Sequence, residues 1–214
     1  MRTEAELMAP NLTGIVSSSE IEQWSPLKAW LYNLLYRNPK SNRAVVELLA
    51  LDSKDRFLDI GCGPGAALEH AASTGASVAG VDPSPAMVSR AARRVPAAEV
   101  RVGSAEEIPF PDNSFSVAIN IASFHHWADR EAGLKETLRV LAPRGRLHIV
   151  EGVLGEGKDG HGLDPKDTEI LVKRLVELGY SQTSIERIKP GWRHEYFVVS
   201  GLVPGQARPS SNTG

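Results

Sequence analysis

Phe57-Leu58-Asp59-Ile60-Gly61-Cys62-Gly63-Pro64-Gly65 decides the fold. A short apolar run passes straight into a glycine turn, and the segment 66–74 that follows has the composition of a helix. In a doubly wound sheet such a turn lies at the carboxyl end of a strand, where ligands bind. Glycine suits it because the chain must turn sharply and a ligand must approach without a Cβ in the way. The spacing is G-x-G-x-G; a dinucleotide fingerprint needs its third glycine at position 66, where Ala66 stands. An alanine is sometimes tolerated at that place, so spacing alone only tilts the balance away from a dinucleotide site, with an ordinary strand-to-helix turn as the plainer alternative.

Working outward, Arg56–Ile60, Ser77–Asp82, Glu99–Val102, Phe115–Ile121 and 146–151 read as strands. Helices are expected at 66–74, at Pro85–Arg94, and from near Asp129 to a point before Pro143, where Leu134, Leu138 and Leu141 recur. Ser84 before Pro85 makes an N-cap and N1 pair, and Gly75 stands where a helix end takes a left-handed residue. Strands alternating with helices predict a parallel sheet covered on both faces. The last third departs from this. Asp164-Pro165 opens a helix closed by Gly179, and Ser181–Ile188 and 195–200 form an antiparallel hairpin around Pro190 and Gly191.

Upstream, Trp24, Leu27, Trp30, Leu31, Leu34 and Leu35 recur with helical period. Pro39 is expected to end that helix, and Ser41 or Asn42 to cap a second one carrying Val45, Val46, Leu48 and Leu49. The domain plan is a mobile terminus at 1–19, a single domain at 20–203, and a mobile tail at 204–214. Within the domain, 20–50 supplies N-terminal helices and a possible lid, and 51–203 the cofactor-binding core. For the aromatic helix around Trp24 to Tyr36, packing on the sheet edge is the plainer role, and lying on a membrane surface a third.

Composition narrows the function. Of 214 residues, 24 Lys and Arg stand against 26 Asp and Glu, a net charge of −2 without blocks of one sign, which argues against a nucleic-acid partner. Cys62 is the single cysteine, so an intrachain disulfide and a cysteine-cluster metal site are both excluded. A reducing, cytoplasmic setting is expected. The first 20 residues lack the pattern of a secretory signal, and no apolar run is long enough for stable membrane insertion.

Asp82 ends the second strand about twenty residues after the first glycine, where a carboxylate accepts hydrogen bonds from both hydroxyls of a ribose. Together with the glycine turn it points to an adenosine-containing ligand.

Three stretches in this order give the chain its family resemblance: Leu58 to Gly65, then Val78-Ala79-Gly80-Val81-Asp82-Pro83-Ser84 with Met87, then Gly103-Ser104-Ala105-Glu106-Glu107-Ile108-Pro109-Phe110-Pro111-Asp112-Asn113-Ser114-Phe115. Over 42–199 the sequence resembles the class I S-adenosylmethionine-dependent methyltransferases, and within them the small-molecule methyltransferase type 11 group. The resemblance implies an α/β fold: a doubly wound, Rossmann-like seven-stranded sheet with an antiparallel last strand. It implies S-adenosyl-L-methionine as cofactor and in-line methyl transfer to a small-molecule acceptor, for which apolar and lipid-like compounds are open, with no metal. Carried over, Gly61, Gly63 and Gly65 lie against the methionine moiety with Asp59 and Asn120 beside it. Asp82 takes the ribose, Pro83 and Met87 flank the adenine, and Ala105 meets the ring through its backbone. Ser104 stands where the family usually has an acid, and Ser116 where it often has Asp.

After the fourth strand comes Asn120-Ile121-Ala122-Ser123-Phe124-His125-His126-Trp127. In the resembling family this segment turns toward the acceptor, so His125 and His126 are the candidates for a general base, His126 being preferred as the one farther from the strand end. The absence of an Asn-Pro-Pro-Tyr signature argues against methylation of DNA amino groups, that of a Pro-Cys pair against cytosine C5 chemistry, and a single cysteine against arsenite methylation. Two other classes stay open: a cofactor-binding protein without turnover, and a nicotinamide-dependent oxidoreductase, which the antiparallel last strand disfavours.

Overall fold

The computed structural model describes residues 39–155, 162–190 and 195–205. The aromatic helix expected around 24–36, the terminus 1–19 and most of the tail lie outside the described residues. The described elements run α1 Pro39–Leu48, β1 Arg56–Ile60, α2 Ala66–Ala72, β2 Ser77–Asp82, α3 Pro85–Arg94, β3 Glu99–Val102, β4 Phe115–Ile121, a 3-10 turn at Phe124–His126, α4 Arg130–Val140, β5 Leu141–Gly152, α5 Pro165–Glu177, β6 Ser181–Ile188 and β7 Tyr196–Leu202.

The seven strands lie in the order β3-β2-β1-β4-β5-β7-β6. β3 through β5 pair in parallel, while β7 runs antiparallel to both β5 and β6. The chain therefore overshoots to the edge with β6 and folds back to insert β7, its last strand, beside β5.

Side chains alternate across a strand, so each strand feeds two cores. Leu58, Ile60, Ala118, Leu147 and Ile149 pack with Leu134 of α4 and Leu171 and Leu175 of α5. On the other face Phe57, Val78, Val117, Ile119 and Val150 meet Val45 and Val46 of α1, Leu68 of α2 and Ala91 of α3. Leu58 is fully buried; truncating such a side chain to alanine costs about 2–5 kcal/mol.

Helix entries follow local chemistry. Asp164 accepts from the Asp167 N–H at 2.8 Å and Asp167 from the Asp164 N–H at 3.5 Å, with Pro165 at the first helical position. Asp129 accepts from the Ala132 N–H at 3.0 Å and starts α4.

Some boundaries differ from expectation. β7 runs Tyr196–Leu202 rather than 195–200, and Ser41 and Asn42, expected to cap the helix of Val45 and Val46, lie inside α1. The helix that Pro39 is expected to end lies outside the described residues. Val45 and Val46 of α1, with Leu49 just after it, are core residues. β5 starts at Leu141 rather than 146. Pro143 interrupts its pattern, but the Arg144 N–H donates to the Val203 carbonyl at 2.9 Å and the Val203 N–H to the Gly145 carbonyl at 2.8 Å, so the extension keeps partners beyond β7.

Candidate active site

The residues singled out from the sequence gather along the carboxyl edge of β1, β2 and β4 and the loops that leave it. At its centre the Gly61 and Cys62 N–H groups donate to the Val81 carbonyl at 2.8 and 3.0 Å, lashing the glycine loop to β2. Gly61 has φ +77°, and a Cβ there would lie 2.2 Å from Ser123 Oγ. Gly63, at φ +50°, has nothing within 4 Å of its notional Cβ, so among the described residues that face of the loop is open. Gly65 is the N-cap of α2. Cys62 points away into the core, 6% exposed, with its Sγ against Gly80.

Asp82 is 8% exposed and anchored at both oxygens, accepting from the Gly63 N–H and the Ser84 N–H, each at 2.9 Å. Burial raises its pKa, and those two hydrogen bonds oppose the rise. Each oxygen keeps a further lone pair for a ligand hydroxyl.

Asp59 is 3% exposed. Burial, then the nearby charge of Asp82, pushes its pKa up to about 7, with no hydrogen bond counteracting either. Asn120 is wholly buried; its Nδ2 donates to the Ile60 carbonyl at 3.0 Å and to Ser123 Oγ, while its Oδ1 has no partner among the described residues. A carboxylate without donors, an amide oxygen without a partner and an open glycine face suit a cationic, amine-bearing ligand group. The donor set thus fits the methionine end of S-adenosylmethionine.

Met87 is buried in the first turn of α3, and Pro83 is exposed beside it. Gly103 ties the next loop to β2 through its N–H and the Asp82 carbonyl at 3.2 Å, setting Ser104 and the buried Ala105 beside that strand end. Ser116 is distant from the edge and structural: its Oγ accepts from the Arg56 N–H at 2.9 Å and donates to Asp55 Oδ1 at 2.7 Å.

The second half of the edge follows β4. His125 Nδ1 lies 2.9 Å from Oε2 of Glu151, a fully buried residue near the end of β5. Glu151 Oε1 accepts from the Phe124 N–H at 2.7 Å and the His125 N–H at 3.3 Å, so one carboxylate fixes both the turn and the ring. The His126 ring centroid is 4.0 Å from that of His125. Sequence reasoning passed over Glu151 and Ser123. Glu151 carried the signal that revealed Asp82, an acid closing an apolar strand; nothing local marked Ser123.

Among the described residues, no group of three or more His, Cys, Asp or Glu is placed to hold a metal ion, and no helix is long and apolar enough to cross a membrane.

Residues 58–149 match the family described as a methyltransferase domain. The chain is 38% identical over 171 residues to the 27-O-demethylrifamycin SV methyltransferase of Amycolatopsis mediterranei, spanning 77% of this chain and 60% of that one. It is 31% identical over 122 residues to the uncharacterized methyltransferase YdaC of Bacillus subtilis, spanning 55% and 67%. A crystal structure of a SAM-dependent methyltransferase from Aquifex aeolicus superposes with TM-score 0.68 at 21% identity, covering 85% of this chain and all of that one, 100%. The chain spans about three fifths of the length of the first curated relatives it matches, 61% and 60%. With the glycine loop, Asp82 and the inserted antiparallel β7 in place, these similarities make the chain a member of the class I S-adenosylmethionine-dependent methyltransferase family.

Proposed function

We propose that this protein transfers the methyl group of S-adenosylmethionine, in line, to a small-molecule acceptor. The observation that carries the reading is the pair of buried acids at the glycine loop: Asp82 anchored by backbone N–H groups, Asp59 left without a donor. The bound donor supplies an already activated sulfonium methyl. The protein's work is to hold donor and acceptor aligned and dry, a proximity effect of several kcal/mol, up to about 10.

In this reading Gly61, Gly63, Gly65 and Asn120 line the methionine end and Asp59 faces its ammonium. Asp82 takes the ribose hydroxyls, and Pro83, Met87, Ser104 and Ala105 border the adenine. For an acceptor that must lose a proton, the base is His125 rather than His126. Glu151 Oε2 lies against Nδ1 of His125 and so fixes the orientation of that ring. His126 borders it as an orienting group. The 27-O-demethylrifamycin SV methyltransferase, whose name gives a substrate lacking a methyl on an oxygen, supports a small organic acceptor attacked at oxygen. The single domain over 20–203, the lid role for its first residues, the cytoplasmic setting and the lack of a nucleic-acid partner complete the proposal.

Calorimetry on the full chain tests it first. S-adenosylmethionine and S-adenosylhomocysteine should bind and NAD should not; comparable NAD affinity would overturn the reading. Metabolite profiling with isotope-labelled methyl donor then identifies the acceptor.

A further inference from the structure

Arg130 opens α4 just beyond the His125 turn, with its Cζ 5.2 Å from the centroid of the Phe124 ring. The side chain is half-buried. Burial draws its pKa down, and the negative charges of Asp167 and Glu151 recover part of that without accepting a hydrogen bond from it. A guanidinium keeps its proton regardless and offers five N–H donors. Among the described residues, none of those donors is paired with an acceptor.

Other arginines of the chain contrast with this one. Arg139 donates to Glu136, Asp112 and the carbonyls of Phe110 and Ile108; Arg146 reaches the Leu49 carbonyl. The acids near Arg130 are engaged elsewhere. Glu151 serves His125 and two backbone N–H groups, and Asp167 closes the box with Asp164. A half-buried cation held on an aromatic face, its donors unpaired, stands at the same sheet edge as His125 and Glu151.

Resting on the methyl-transfer reading, we infer that Arg130 binds an anionic oxyacid group, carboxylate or phosphate, carried by the methyl acceptor. The planar fork of a guanidinium matches two oxygens on one carbon or phosphorus, and the Phe124 face fixes the fork from behind. Glu151 and Asp167 hold the cation in place before the acceptor arrives. The acceptor is therefore an amphipathic acid, with the attacked atom near His125 and the anionic group at Arg130.

The test uses the full chain saturated with S-adenosylhomocysteine, titrated calorimetrically with benzoate and with its neutral counterpart benzamide. Benzoate should bind roughly tenfold or more tightly than benzamide, the scale of a hydrogen bond to a charged group. Arg130→Gln should erase that difference while S-adenosylhomocysteine affinity is kept, and Arg130→Lys should keep part of it. Phenyl phosphate in place of benzoate separates the two oxyacids. Equal binding of benzoate and benzamide, no binding of benzoate in the millimolar range, or a preference that survives Arg130→Gln would overturn the inference and leave Arg130 as a counter-charge for Asp167 and Glu151. If Arg130→Gln does not fold, the wild-type Arg130 Nε resonance should move on adding benzoate and not benzamide; a resonance that stays put overturns the inference equally. Failure to bind S-adenosylhomocysteine at all is a separate result, which removes the methyl-transfer reading itself.

Discussion

The two halves of the sheet edge are built on different principles. From β1 to β3, the nucleotide half uses backbone: N–H groups of Gly63 and Ser84 hold Asp82, and the Val81 carbonyl holds the loop. Beyond β4, the acceptor half depends on side chains far apart in sequence, Glu151 reaching back 27 residues to Phe124 and 26 to His125. A backbone-built pocket is fixed by short contiguous motifs and serves one ligand. A side-chain-built pocket changes with single substitutions, which is how one fold serves many acceptors.

The largest expected effect breaks the acceptor half. Glu151→Ala removes the partner of a ring and two N–H groups; turnover should fall about 100-fold or more, with a stability loss of about 3–5 kcal/mol. Glu151→Gln keeps an oxygen for the two N–H groups and should recover stability but not turnover. Single-turnover rates beside thermal melts separate the two, and loss of cofactor affinity in a folded variant would show that the halves are not independent.

In the nucleotide half, Asp82→Ala should weaken S-adenosylmethionine binding by about 1–3 kcal/mol. Calorimetry reads it, and unchanged affinity would place the ribose elsewhere.

A smaller effect sharpens the comparison through pH. With a pKa of about 7 in the ligand-free protein, Asp59 is largely protonated at pH 6 and ionised at pH 8. A ligand ammonium pairs with the ionised form, so binding favours release of that proton and affinity should rise with pH, by about tenfold between those values. Asp59→Asn should flatten the profile. An acid raised this far in the folded state also makes the ligand-free protein less stable as pH climbs from about 4 to about 7, since only the unfolded chain is then fully ionised. The smallest change expected is from Ser104→Asp, a few-fold gain in affinity from an added acceptor for the adenine amino group.

Legibility in the sequence followed the same division. Arg56–Ile60, Ser77–Asp82 and Glu99–Val102 were readable to the residue because each is a short apolar or alternating run bounded by turn residues. The placement of Asp59, Gly61, Gly63 and Asp82 at one edge was readable because neighbouring strand ends put them side by side. Glu151 and Arg130 were not, since their roles arise only when β5 and α4 are brought beside the turn at Phe124–His126. Ser123 became visible only through the space that Gly61 lacks. Ser41 and Asn42 misled as caps because their residue types are also tolerated inside a helix, which here already includes Pro39.

Cys62 gives the molecule a built-in reporter. It is the chain's one thiol, 6% exposed beneath the glycine loop, and burial raises its pKa far above that of a free thiol. A maleimide can reach it only when the loop lifts off Val81, so the rate of native-state alkylation measures how often the cradle opens. Any ligand that requires the closed loop slows that labelling in proportion to its occupancy. Ligands of unknown identity can thus be screened by mass shift at a single residue, without an assay for turnover.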